Sequence, residues 1–387
     1  MNLTAETTVL TPPDEQSMGH DLGSDRRADI EARQALIAAF LKENSCDGLL
    51  VLEPENFSWL TSGAAARGVL DPRELPAAYY SAEQRWVICS NVDSQRLFDD
   101  EVDGLGFQLK EWPWHWDREQ LIADLCQGRT VACDRPLNGC KVVNEKIRKL
   151  RRKLTPYEQA CLAALGQIIS HAVEATCRTM TPGNTEREIA GQLSHRLLHR
   201  GAHAVAIEVA ADGRSRYYRN CGFTPQHIER HCLITVTARK YGLCASTSRA
   251  VCFGEPEADV RKEHDAACKV GATYIASTWP DCMPKQILTA GKHVYRLTGF
   301  EHEWRQFPQG HVTGRAPVEY NLTPASDELL GEGWAICWHA SVGAALSSDT
   351  FIISEKGPQL VTPPEAWPLK RIRVQGAEFF RPDLLIR

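Results

Sequence analysis

Three groups of residues in the second half of the chain have the types and spacing to do chemistry. The run Ala211–Asn220 (ADGRSRYYRN) holds Arg214, Arg216 and Arg219 beside Tyr217 and Tyr218. If these side chains turn inward they form an anion-recognition cradle, because guanidinium presents a planar fork to a carboxylate. Turned outward, they are solvated charges on a loop. The hairpin-like run His231–Gly254 is apolar at first and then rich in hydroxyls, with Ser246, Thr247 and Ser248 in sequence. His311, in GHVTG, and His339, in WHAS, titrate near neutral pH and can both accept and donate a proton. Either histidine alone also reads as a satisfied core residue at a strand end. No serine sits in a Gly-x-Ser-x-Gly elbow, and no cysteine has a recognisable histidine partner in sequence. Nucleophilic catalysis is therefore unsupported.

The hairpin and the blocks after it resemble peptidase family M24, the creatinase, aminopeptidase P and methionine aminopeptidase group. In that family one strand carries an Asp and the next reads Gly-Tyr-x-Ser-Asp-x-Thr-Arg. Here Gly242–Arg249 (GLCASTSR) fills the second block, so the resemblance sets Thr235 and Ser246 at the two Asp positions. Gly310–Gly314 matches the Gly-His-Gly-Ile-Gly block, with His311 at the metal histidine. His339 and Ser348 then stand at the two glutamate positions, and Asp349 survives beside the second. His311 alone keeps the family's residue type.

That substitution pattern bears on chemistry more than on fold. A paired Mn, Co or Zn site needs anionic bridging oxygens to hold two dications and acidify a shared water. Neutral hydroxyls do not offset that charge. Two histidines can hold one soft ion, but a catalytic site usually offers three protein ligands, and no third donor is evident in the sequence. The expectation is a site without metal and without any other cofactor. Creatinase is the precedent within the family, since there a histidine does the proton work. The resemblance thus implies His311 and His339 as catalytic candidates, with Glu319, which keeps the acidic member of the family's second His-Glu pair while Val318 replaces the histidine. Arg216, Tyr217, Tyr218, Thr235, Ser246, Ser348 and Asp349 are expected around the substrate, and Arg249 and Arg315 are expected to face the cleft. Arg67 falls where creatinase-type dimers reach over the partner's active site, which implies a homodimer. His302 and Glu303 lie before His311, on the wrong side for the His-Glu pair, and are expected at a surface or interface.

At 387 residues, with 43% hydrophobic and 24% charged content, the chain has the composition of an ordinary globular protein with room for two domains. A net charge of −5 gives no electrostatic case for a nucleic-acid partner. The basic run Lys146–Lys153 reads as a solvated helix end. Fourteen cysteines are scattered singly, with no Cys-x-x-Cys pair and no signal-like N-terminus, as in a reducing cytoplasm. No run approaches the length of a membrane span.

The expected fold class is α+β in two domains. Residues 1–24, polar and aperiodic, are read as a flexible arm. Residues 25–153 alternate helix and strand and contain NFSWLTSG, which resembles a turn of creatinase-type N-terminal domains. Residues 154–387 are expected to form the family's pita-bread domain, an antiparallel sheet with helices on one side. Within it Thr185 and Glu188 have capping-box spacing, ahead of the buried stripe Ile189, Leu193 and Leu197. The leading functional expectation is a metal-independent, creatinase-like hydrolase of a C–N bond in a small anionic or zwitterionic metabolite. Two alternatives stand beside it: an M24 aminopeptidase of Xaa-Pro type with a site rebuilt from His311, His339 and Asp349, and a pseudopeptidase that only binds.

Overall fold

A computed structural model describes residues 8–10, 21–67 and 75–387. The chain divides into two compact units, one of residues 13–151 and one of residues 1–12 with 152–387.

The smaller unit opens with helix α1 (Asp21–Asn44), which starts inside the segment read as an arm. Strand β1 (Gly48–Val51), helix α2 (Pro54–Leu60), strands β2 (Ala77–Tyr80) and β3 (Arg85–Ser90), short helix α3 (Ser94–Arg96), strand β4 (Gln108–Trp112), helix α4 (Arg118–Cys126), strands β5 (Val131–Cys133) and β6 (Lys141–Val142) and helix α5 (Asn144–Leu150) follow. The six strands form one mixed sheet in the order β4-β3-β2-β1-β5-β6. Arg67 is exposed.

The larger unit begins with two capped helices. Thr155 caps α6 (Pro156–Thr179) and Thr185 caps α7 (Glu186–His199), each in a reciprocal box with the Glu three residues on. By length and composition α6 would suffice to cross a membrane, contrary to the sequence reading, but 72% of its apolar window is buried within the unit. Strands β7 (His203–Ala211), β8 (His231–Lys240) and β9 (Leu243–Cys252) form an antiparallel sheet. Tyr241 and Gly242 join β8 to β9 with both φ angles positive, at 54° and 67°. Such a two-residue turn matches strand twist and fixes the register, so Thr235 falls opposite Ser248 and Thr237 opposite Ser246.

Helices α8 (Ala258–Ala276) and α9 (Pro284–Leu297) precede a second sheet of β10 (Gly310–Thr313), β11 (Tyr320–Asn321), β12 (Ala335–Val342), β13 (Ala345–Ile352) and β14 (Gln359–Leu360), ordered β11-β10-β12-β13-β14. Strands β15 (Leu369–Val374) and β16 (Ala377–Pro382) form a separate hairpin, and β17 (Leu385–Ile386) adds a parallel edge to β9. One face of the second sheet packs on α8 and α9, where Tyr274 stacks on Trp338 at 4.7 Å. A Cβ at Gly310 would lie 2.4 Å from the Trp338 ring, so only glycine lets β10 come this close and set His311 in register.

Two expectations about termini and charge change here. Residues 8–10 are not a free arm: Val9 bridges Leu360, which exchanges backbone hydrogen bonds with Thr8 and Leu10, because the edge beyond β13 offers unpaired backbone groups. Arg152, in the basic run read as solvated, is only 4% exposed; it pairs with Glu328 at 2.5 Å and lies over the Trp334 and Tyr320 rings.

Candidate functional site

Strand alternation and register bring the two predicted histidines together. His311 on β10 lies opposite Cys337 on β12, and His339, two residues further along β12, lies opposite Ser348 on β13. Residues two apart on a strand share a face, so all four point to one side of the sheet, away from Trp338. His339 Nε2 is 3.1 Å from His311 Nδ1, and the rings stack with centroids 4.8 Å apart. Ser348 Oγ lies 3.0 Å from His339 Nδ1, and Cys337 Sγ lies 3.5 Å from Ser348 Oγ. The Cys337 thiol is also within reach of the Ser246 and Thr350 hydroxyls, while Ser246 Oγ shares a 2.7 Å hydrogen bond with Thr237 Oγ1.

The direction of this chain of hydrogen bonds can be assigned. The Pro317 carbonyl, which only accepts, lies near the His311 ring and favours a proton on it. With Nδ1 facing His339, the proton of neutral His311 sits on Nε2. His339 Nε2 then donates to His311 Nδ1, Ser348 Oγ–H donates to His339 Nδ1, and the Cys337 thiol donates to Ser348. Burial holds both imidazoles neutral: it pulls His311 down to about 4, and pulls His339 well below its ordinary value, with the neighbouring His311 adding to the effect. Burial pushes the Cys337 thiol up to about 11, against the hydroxyls around it.

The remaining candidates separate into pocket residues and structural residues. Thr235 lines a narrow pocket together with Glu208, Arg219, Cys221, Phe307 and Ser341. Phe307 is its common wall with the histidine cluster, standing edge-on to His339 at 5.8 Å. Burial raises Glu208 above the usual carboxylate range, partly opposed by hydrogen bonds from Cys221.

The expected arginine and tyrosine cradle does not form. Arg214 makes a two-pronged pair with Glu186, Arg216 pairs with Glu263, and Arg219 pairs with Glu303 while donating to the Gly343 carbonyl. Each guanidinium has met a carboxylate of the protein itself, so the loop is pinned rather than poised. Tyr217 and Tyr218 are 78% and 59% exposed. Glu303, expected at a surface or interface, is thus a partly buried anchor of this loop.

Arg249, Arg315 and Asp349 are also structural. Arg249 is buried between Glu174 and Asp349, and Asp349 further binds Arg381, Thr247 and Thr362. The alternation that points Ser348 toward His339 turns Asp349 to the opposite face, so it cannot join the histidines in a rebuilt site. Arg315 is buried against Glu158 and the Tyr241 carbonyl. Glu319 is 1% exposed and accepts the Ala316 N–H, closing the loop after β10. Its expected catalytic role gives way to this structural one.

The donors do not fit the family's paired hard cations, since every carboxylate position holds a neutral group. Among the described residues, His311, Cys337 and His339 are the three potential ligands that gather closely, with ligand atoms within 4.8 Å of one another. Cys337, Glu208, Arg219 and Phe307 carry more of this site than the sequence reading assigns to them. For Cys337 a signal existed: a Cys-x-His spacing on a strand puts both side chains on one face.

Comparison with known proteins agrees with this geometry. Residues 160–350 match metallopeptidase family M24. The chain is 22% identical to an Xaa-Pro dipeptidase of Lactobacillus helveticus over 324 residues, 76% of this chain and 85% of that enzyme. An Xaa-Pro dipeptidase of Pyrococcus horikoshii is also 22% identical, but the match spans 58% of this chain and just 66% of that enzyme's length. The solved prolidase from Pyrococcus furiosus superposes with a TM-score of 0.71 at 18% identity, over 85% of this chain and 99% of that one. With the pita-bread architecture and the M24 match in agreement, residues 160–350 carry the metallopeptidase family M24 domain, with neutral side chains at the positions that the resemblance assigns to the family's carboxylates.

Proposed function

We propose that this chain is an M24-type hydrolase that cleaves the C–N bond of a small zwitterion of the Xaa-Pro dipeptide class. The observation that carries the reading is the pocket beside the histidine cluster, which presents one carboxylate, Glu208, and one guanidinium, Arg219. A free dipeptide carries one ammonium and one carboxylate. Arg219 uses two of its five N–H donors within the protein, so it retains donors for a carboxylate. The names of the relatives support the same substrate class. Thr235 lines the pocket and suits a substrate carbonyl or N–H rather than a proton transfer, since a hydroxyl does not titrate near pH 7.

Calorimetric titration tests the pocket without requiring turnover. Gly-Pro is expected to bind, with loss on N-acetylation or C-terminal amidation, and with Glu208→Gln mimicking the loss of the ammonium contact. Equal binding of capped and free dipeptides would remove the zwitterion reading.

A second reading, a module that binds without turnover, is favoured by the hydrogen-bond relay. With the protons as assigned, the lone pairs of both imidazoles are engaged, His311 Nδ1 by His339 and His339 Nδ1 by Ser348, and neither is offered to water. The same fact weighs against either imidazole as the general base of a metal-independent, creatinase-like reaction.

A further inference from the structure

We infer that His311 Nδ1, His339 Nε2 and Cys337 Sγ form a mononuclear site for a soft divalent cation such as Zn2+, in place of the family's carboxylate-bridged pair. The inference rests on the hydrolase reading only for what such an ion would do, not for its binding.

Three observations support it. The first is spacing. Tetrahedral Zn2+ with Zn–N of about 2.0–2.1 Å sets its two nitrogens roughly 3.3–3.4 Å apart. His311 Nδ1 and His339 Nε2 already face each other at 3.1 Å, so separating them by a few tenths of an ångström admits an ion between them. The second is the third donor. With Zn–S of about 2.3 Å, a ligating sulfur stands roughly 3.5–3.6 Å from each nitrogen. Cys337 Sγ lies within 4.8 Å of both ligand atoms and is opposite His311 in register, so it needs to move about one ångström. Two imidazoles and a thiolate suit Zn2+ and suit Mg2+ or Ca2+ poorly.

The third observation concerns the nitrogens that face away from the ion. A ligating histidine is usually held through its other ring nitrogen by a backbone carbonyl or a polar side chain. Ser348 Oγ is in place on His339, and the Pro317 carbonyl lies near the His311 ring. Proton accounting also closes. Binding releases one proton, from the Cys337 thiol. The His339 proton passes from Nε2 to Nδ1, where Ser348 Oγ accepts it, and the Ser348 hydroxyl turns to donate to the Cys337 thiolate. Three protein ligands leave a fourth position open, as in catalytic rather than structural zinc sites. The relay that occupies both imidazoles in the ion-free protein is then opened, and the water activation that it denies becomes available.

The test uses the full chain, stripped with chelator and titrated with Zn2+ and Co2+. One ion per chain is expected, with a thiolate-to-cobalt charge-transfer band in the near ultraviolet. Cys337→Ser should abolish that band and weaken Zn2+ binding by roughly 100-fold, and Ser348→Ala, which removes an outer partner, should weaken it roughly 10-fold. The exposed pair His195 and His199, stacked on α7, is the obvious trap for an adventitious ion, and His195→Ala/His199→Ala should leave the band unchanged. The wild-type spectrum needs no variant to fold. Absence of the band in wild type, or absence of bound ion at micromolar free Zn2+, would overturn the proposal. So would a band that survives Cys337→Ser, which would point to other thiols such as Cys126 and Cys140, whose sulfurs lie 3.9 Å apart. Dipeptide binding is measured separately, so each reading can fail without the other.

Discussion

The two faces of β13 hold opposite solutions to the problem of buried polar groups. On one face Ser348 joins a neutral relay with His339, His311 and Cys337. On the other, one residue along, Asp349 pairs with Arg249 and Arg381. The difference lies in the partners. A buried carboxylate persists where guanidinium groups are built into the fold to pair with it, whereas the carboxylates of a dinuclear site depend on two bound dications. The chain retains the first kind and lacks the second. The contrast teaches that a carboxylate which survives beside a lost ligand position need not be a remnant of the active site.

The comparison breaks most visibly if the charged face proves dispensable. Asp349→Ala leaves Arg381 buried with unmatched charge and Arg249 with Glu174 alone, and should cost about 3–5 kcal/mol in urea unfolding. Ser348→Ala, on the neutral face, should cost about 1 kcal/mol. Similar losses for the two would mean that the faces are not distinct in kind.

A pH scan sharpens the same contrast through two other histidines of the larger unit. Burial pulls His231 down to about 4. Its unfolded counterpart binds a proton below about 6.5, so stability should fall between pH 6.5 and 4, by roughly 3 kcal/mol if His231 acted alone. His264 behaves oppositely: burial lowers it, but the Cys268 sulfur and the Asp383 carboxylate outweigh burial and lift it to about 9. Its contribution is therefore fully present below about 6.5 and is lost as pH rises through 9. Asp383→Asn should reduce the alkaline loss and leave the acid loss in place. An unchanged alkaline limb in that variant would detach His264 from Asp383.

The smallest effects belong to the hydroxyls. Thr235→Ala should leave unfolding within about 0.5 kcal/mol of wild type while weakening dipeptide binding, since Thr235 lines the pocket and is not fully buried. A large loss of stability would reclassify it as a structural residue.

Much of the architecture was legible because local and tertiary signals agree. The capping box at Thr185 and Glu188, the Tyr241-Gly242 turn and the apolar stripe of α7 are set by neighbours in sequence. Register then carried His311, His339, Ser246 and Ser348 to one centre. The arginines were misread because sequence shows a guanidinium but not its partner: Glu186, Glu263, Glu303, Glu174 and Glu158 come from elements tens to more than a hundred residues away. Cys337 was passed over for a related reason, since its place opposite His311 exists only once β10 and β12 pair. Glu208 and Arg219 likewise acquire meaning from the pocket they share.

The most direct test of the central claim is anomalous diffraction from crystals grown with Zn2+, recorded on both sides of the zinc absorption edge. A single peak within bonding distance of His311 Nδ1, His339 Nε2 and Cys337 Sγ is the predicted result. Two peaks spaced as a bridged pair and reaching Thr235 and Ser246, or none at all in this centre, would contradict it.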